Sequence, residues 1–256
     1  MIHLSERLLG VASLITPGGN VADIGTDHGY LSIYLIQNDL ANKVIASDVN
    51  EGPLDKAREN TAQYELNNKI ELRLSNGLMM YDVGEVDSIV MAGMGGNLII
   101  DIISDGKDVA YSAKELILQP QSDVARVRHY LHDNNFRIVS ENIIKEDGKF
   151  YPMMKVKDES HLLDRDQSIM QKKTWNSEIF YRYGKIPLDE ENPVLHEFLL
   201  RERDILDKLY EDLSNSEKTD SVIKRIKELE EDIDYNLRAI SYIKKKRTYV
   251  KDRVLQ

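Results

Sequence analysis

The chain contains no cysteine. Disulfides and thiolate zinc sites are therefore excluded, no metal site is expected, and a reducing compartment is. No segment approaches the ~18 consecutive apolar residues that a membrane span requires. The first residues, MIHLSERLLGVASLI, hold Glu6 and Arg7 and lack a small-residue cleavage site. These absences point to a soluble cytoplasmic protein that does not engage a membrane. An excess of positive charge is missing too: the formal net charge is −10. That argues against indiscriminate nucleic-acid binding but leaves room for a local basic face, because the distribution of charge matters more than its sum.

What is present suffices for one large domain or a domain with an extension, since 41% of the 256 residues are hydrophobic. Leu4, Leu8, Leu9, Ala12 and Ile15 recur at helical spacing, and Pro17-Gly18-Gly19 ends that first helix. Strand-like and helix-like segments then alternate. NVADIG, KVIASDV, IELRLSN, VDSIVMAG and ELILQP read as strands. GYLSIYLIQND, GPLDKARENTAQYEL, GNLIIDIISDG and SDVARVRHYLHDNN read as helices, the last with Ser122 as its expected N-cap. The alternation predicts a mostly parallel α/β sheet with helices on both faces. Two β-rich runs flank Asp147-Gly148, a hairpin signal, so an antiparallel hairpin is expected to close the sheet.

After about residue 158 the strand signals stop. Leu195, Leu199, Leu206, Leu209 and Leu213 step along one helix, interrupted by Glu202. Val222, Ile226, Leu229, Ile233, Leu237, Ile240 and Ile243 step along another. Folded back on each other across SNSEKTD, they would form an antiparallel coiled-coil hairpin. The expected division is a domain over 1–158 and a helical domain over 159–256.

The candidate chemistry sits at the carboxyl ends of the strands, where open α/β sheets bind ligands. The loop after the first strand holds Asp23, Gly25, Asp27, His28 and Gly29. Its glycines permit close backbone approach, and its helix start can receive an anionic group. Two acids so close would repel a pyrophosphate and suit a cofactor that carries a positive charge, such as an ammonium or a sulfonium. His28 in that loop reads as a structural hydrogen-bonding residue. Asp48 ends the second strand, placed to accept hydrogen bonds from ribose hydroxyls. Asn76-Gly77 ends the third, where an amide and bare backbone can read an adenine edge. MAGMGGN follows the fourth, and Gly93 there allows a flat base to approach.

DIGTDHGYL, the strand-end Asp48, SNGL and AGMGG resemble the class I S-adenosylmethionine-dependent methyltransferases. With LQPQ, the hairpin EDGKFYPMM and the helical extension, the chain more narrowly resembles the bacterial tRNA adenine-N1 methyltransferases, the TrmK family. The resemblance implies a Rossmann-like methyltransferase sheet, S-adenosylmethionine as cofactor, tRNA as partner, and methylation at N1 of the adenine at tRNA position 22. It implies cofactor contacts at Asp23, Gly25, Asp27, His28, Gly29, Asp48, Asn76, Gly77 and Gly93. Asp27 is then the carboxylate expected to meet developing positive charge, with Arg7 and Tyr30 beside it.

The chain departs from many amino-directed methyltransferases in lacking an Asn/Asp-Pro-Pro-aromatic loop after the fourth strand. Exocyclic methylation is therefore less expected than methylation at ring N1, and Tyr30 and Tyr151 are candidates for a ring that stacks on the base. Arg7, Arg126, Arg128, Lys244, Lys245 and Lys246 are expected to meet RNA, joined by Lys172, Lys173 and Arg247. A monomer is expected. Two rivals stay open at this point: a small-molecule methyltransferase with a helical oligomerisation arm, and a non-catalytic RNA-binding protein on a cofactor fold.

Overall fold

The five expected parallel strands pair as one sheet because their side chains find apolar partners on both faces. Ile89 and Met91 pack to one side and Val90 to the other, and Leu116 and Leu118 oppose Ile117 in the same way. Strands buried on both faces read as the near-continuous apolar runs seen here. The computed structural model describes residues 2–159 and 178–254, with side chains as far as Lys245. The chain divides into two compact units, Met1–Lys172 and Lys173–Gln256. The division expected at residue 158 differs from the one between Lys172 and Lys173, and residues 160–177, which hold both lysines, lie outside the described residues.

In the first unit α1 (Glu6–Leu14) precedes β1 (Gly19–Ile24), α2 (Tyr30–Gln37), β2 (Ala41–Asp48), α3 (Glu51–Gln63) and β3 (Ile70–Leu74). There follow β4 (Ser88–Gly95), α4 (Gly96–Asp105), α5 (Lys107–Ser112), β5 (Glu115–Ser122), α6 (Val124–Asp133), β6 (Phe136–Glu146) and β7 (Lys149–Asp158). The seven strands lie in the order β3-β2-β1-β4-β5-β7-β6. The first five are parallel, and β7 runs antiparallel to both β5 and β6. β1 pairs with both β2 and β4, so the strand order reverses there and opens a crevice at the carboxyl ends. Asp147 and Gly148 both have positive φ, as a two-residue hairpin turn of the primed kind requires.

Three local expectations change. Helix α5 was not expected from the sequence, and packs Val109 and Ala110 into the core. The first helix begins only at Glu6, after Ser5, whose hydroxyl accepts the Leu8 N–H. Ser122 is not the N-cap of α6. It remains in β5 and donates to Asp123, which caps the helix from a left-handed conformation.

The second unit contains α7 (Glu178–Tyr183), α8 (Lys185–Asp189), α9 (Pro193–Ser214) and α10 (Asp220–Val254). The long pair α9 and α10 forms the expected hairpin. Its stripe keeps Leu229, Ile240 and Ile243 buried and departs at one position: Leu237 is exposed, and Asn236 is fully buried in its place. The Asn236 amide donates to the Leu199 carbonyl and to Glu202, which also accepts from the Tyr183 hydroxyl. Glu202 interrupts the leucine pattern because it is the acceptor of this polar layer, a device that fixes register between paired helices.

Candidate active site

Strands β1, β2, β3 and β4 deliver their terminal residues to one edge of the sheet. At the end of β1, Asp23 is buried, and its Oδ2 accepts from the Thr26 hydroxyl at 2.9 Å and the Ser32 hydroxyl at 2.7 Å. Burial pushes its carboxyl above the usual aspartate range, and the two hydroxyls oppose that shift. Asp23 thus ties the loop to α2. Asp27 has the opposite setting: its side chain is 87% exposed and lies 3.1 Å from the His28 ring.

His28 adopts a left-handed backbone, a conformation rare outside glycine. It stacks nearly parallel on Tyr30, with ring centroids 5.5 Å apart. Asn60 of α3 secures the strained turn by donating to the His28 carbonyl. Tyr30 opens α2 and is 41% exposed, so Asp27, His28 and Tyr30 form a polar-aromatic rim.

The loop glycines serve different ends. Gly25 has a φ of +73°, and a Cβ there would fall 2.2 Å from the Met94 methyl. Met94 therefore brings the end of β4 against the β1 loop. Gly29 is buried, and its missing side chain lets α3 approach through Ala57. Gly77 is buried as well. Its missing side chain makes room for Ile102 of α4, which leaves Asn76 as the exposed part of that pair.

Asp48 is half-buried at the end of β2. Its Oδ1 accepts the Asn50 N–H at 2.8 Å, while Oδ2 has no hydrogen-bond partner among the described residues. Val49 beside it is 60% exposed, an apolar shelf next to an acid.

The opposite rim is built on the end of β4. The ladder with β5 pairs Ala92 with Gln119, Met94 with Pro120 and Gly95 with Ser122, so Gly93 and Gln121 fall outside it. Such irregularities re-aim side chains at the ends of sheets. Arg7 reaches this bulge from α1. It donates from Nη1 to the Gln119 Oε1 at 2.8 Å, and its guanidinium lies 5.8 Å from the Tyr151 ring centroid. Gly10 allows α1 to sit this close, since a Cβ there would strike Ile144.

A family model described as "Methyltransferase domain" matches residues 4–154. The tRNA (adenine(22)-N(1))-methyltransferase of Bacillus subtilis is 39% identical over 60% of this chain, and the match spans 64% of that relative's length. The crystal structure of the B. subtilis M1A22 tRNA methyltransferase TrmK superposes with a TM-score of 0.81 at 30% identity, covering 94% of this chain and all of that one. The chain belongs to the TrmK family. The crystal structure of Streptococcus pneumoniae Sp1610 in complex with S-adenosyl-L-methionine matches at 31% identity and a TM-score of 0.78, over 94% of this chain and 100% of that one.

The strand ends of this TrmK-family chain suit such a group. The spare oxygen of Asp48 can accept from a ribose hydroxyl, Val49 offers a face for a purine, and Asp27 brings negative charge to the loop that would face a sulfonium or ammonium. Sequence reasoning singled out Arg7 and Gly93 but missed the two glutamines beside them. Their signal was the alternation in LQPQ, where a proline with no N–H stands between two amides.

The expected RNA contacts do not share one setting. Arg126 is exposed on α6. Arg128 corrects the expectation: it is buried, and its Nε donates to the buried Glu141 at 2.7 Å, so it cannot meet a phosphate. Lys244 and Lys245 are exposed near the end of α10, and the side chains of Lys246 and Arg247 lie outside the described residues. Among the described residues there is no cluster able to hold a metal ion, and no helix long and apolar enough to cross a membrane. A hollow of about 180 Å³ lined by Thr16, Gly19, Ser88 and Glu115 lies at the opposite edge, where the parallel strands begin, and is not part of this site.

Proposed function

We propose that this protein methylates N1 of the adenine at tRNA position 22, with S-adenosylmethionine as donor. The observation that carries the reading is the end of β4. It presents bare left-handed backbone at Gly93, flanked by Arg7 and Gln121, where amino-directed enzymes present a proline-rich loop with an aromatic ring. Ring N1 already offers a lone pair and needs no acceptor to draw a proton from an amino group. The likeness to TrmK over nearly the whole chain, helical extension included, supports the same substrate.

The cofactor supplies an electrophilic methyl group on a sulfonium. The chain's own part is positional, since fixing two reactants in line converts a bimolecular reaction into an effectively unimolecular one. Asp48 holds the ribose. Asp27 brings a carboxylate to a site whose product base is cationic. Exposed Tyr30, stacked on half-buried His28, offers a ring face for stacking. Arg7 keeps Nε and Nη2 for a phosphate beside the target, because its bond to Gln119 uses Nη1. A paired or stacked adenine hides N1, so the base must be extruded at a cost of a few kcal/mol. The helical unit, with Lys244, Lys245 and Lys246, takes the tRNA body and offsets that cost. The protein works in the cytoplasm as a monomer.

Incubating the pure full-length chain with labelled cofactor and bulk bacterial tRNA tests the reading. Label should appear at N1 of adenine 22. Binding of tRNA without transfer, or transfer only to small molecules, would refute it.

A further inference from the structure

We propose that Gln121 selects adenine, its side-chain amide pairing with the N6 and N7 edge of the target base, while Gln119 and Arg7 fix the strand end on which that base lies. The proposal rests on the adenine-N1 reading above and adds how the base is chosen.

Methylation at N1 constrains recognition. N1 must face the methyl group, so it cannot also be held by a protein donor. The edge that remains presents the N6 amino group as donor and N7 as acceptor. A carboxamide matches that pair, with its oxygen accepting from N6 and its NH2 donating to N7. Guanine presents two acceptors on the same edge, so the carboxamide oxygen would oppose O6.

The structure builds one such carboxamide at the right strand end. Gln119 is fully buried and spent: its Oε1 accepts from Arg7, and its Nε2 donates to the Pro120 carbonyl at 3.2 Å. Pro120 has no N–H, so the ladder cannot continue regularly past it. The slip leaves Gln121 outside the pairing, exposed, and with no hydrogen-bond partner for its amide among the described residues. Its Nε2 still lies over the crevice. A Cβ built on Gly93 would stand 3.3 Å from the Gln121 Nε2 and 3.3 Å from the Arg7 Nη1. The bare backbone at Gly93 thus has both a fixed cation and a free amide beside it. The first suits a neighbouring phosphate, and the second suits a base edge.

The test uses two tRNAs that differ only at position 22, one with adenine and one with 7-deazaadenine, which replaces N7 by C–H and keeps N1 and N6. Single-turnover rates are measured for the full-length wild type, Gln121→Ala and Gln121→Glu, and S-adenosylhomocysteine affinity is measured for each by calorimetry. The wild type should slow about threefold to tenfold on the deaza substrate, the scale of losing one of the two bonds of a bidentate contact. Both variants should be slowed on normal tRNA, Gln121→Ala at least as much as the deaza base slows the wild type, show no further loss on the deaza substrate, and bind S-adenosylhomocysteine normally. Glutamate is informative because it accepts from N6 but cannot donate to N7. A wild type indifferent to N7, or a Gln121→Ala variant that still senses it, overturns the proposal. So does loss of S-adenosylhomocysteine binding in both variants, which would make Gln121 a support of the strand end. If the wild type methylates neither tRNA, it is the adenine-N1 reading that falls.

Discussion

Replacing Asp48 with asparagine removes a charge from the cofactor edge and leaves the local fold its hydrogen bond. Oδ1 of Asp48 accepts the Asn50 N–H at 2.8 Å, and the asparagine carbonyl can do the same. The difference falls on the second position, where an acceptor becomes an NH2 donor. A hydrogen bond to a charged group contributes about 1.5–3 kcal/mol, so losing one ribose contact should weaken cofactor binding about tenfold to 150-fold. The melting temperature without ligand should barely move, because the side chain is only half-buried and the turn is kept. Asp48→Ala should bind as weakly and also lose stability, by about 1 kcal/mol for the missing turn bond. Calorimetry with S-adenosylhomocysteine and thermal melting on the same samples separate the two effects. An asparagine variant that binds within threefold of the wild type would show that Asp48 caps the turn and does not hold the ribose.

Asp27→Asn should lower turnover at saturating cofactor and tRNA by about a hundredfold, the lower end of an electrostatic contribution at a reacting centre, and leave the melting point alone because the side chain is 87% exposed. Near-normal turnover would exclude a role for its charge. Arg128→Met should cost about 3–5 kcal/mol in denaturant unfolding by removing the guanidinium that donates to the buried Glu141; a loss below 1 kcal/mol would contradict the burial of the pair. Burial alone would push Glu115 up, but hydrogen bonds from Lys155 and Thr16 outweigh it and hold the carboxyl below its usual range. The stability it contributes is therefore complete above the unfolded glutamate pKa of ~4.3 and is lost as pH falls through the lower folded value. Melting curves from pH 7 down to pH 3 should show Glu115→Gln converging on the wild type in acid; a constant difference across that range would refute the assignment.

Sequence alone determined the features that depend on local pattern. The β–α alternation specified the parallel sheet, because apolar runs bounded by glycine turns have few other ways to bury themselves. Asp147-Gly148 specified the closing hairpin through its positive φ angles. Asp48 and the glycines at 25, 29, 77 and 93 were legible as strand-end residues because chain order alone puts strand ends on one edge. What each of them touches was not legible. Gly29 and Gly77 make room for Ala57 and Ile102, contacts that exist only once α3 and α4 have packed. Arg126 and Arg128 are two residues apart on one helix, yet one faces solvent and the other is buried against Glu141 of β6. Arg7 and Gln119 meet across 112 positions of sequence, through a helix seated by Gly10 and a strand that slips at Pro120. Spacing encodes periodicity along one element. Which face of that element is covered, and by what, is decided by the long-range packing that tertiary structure alone supplies.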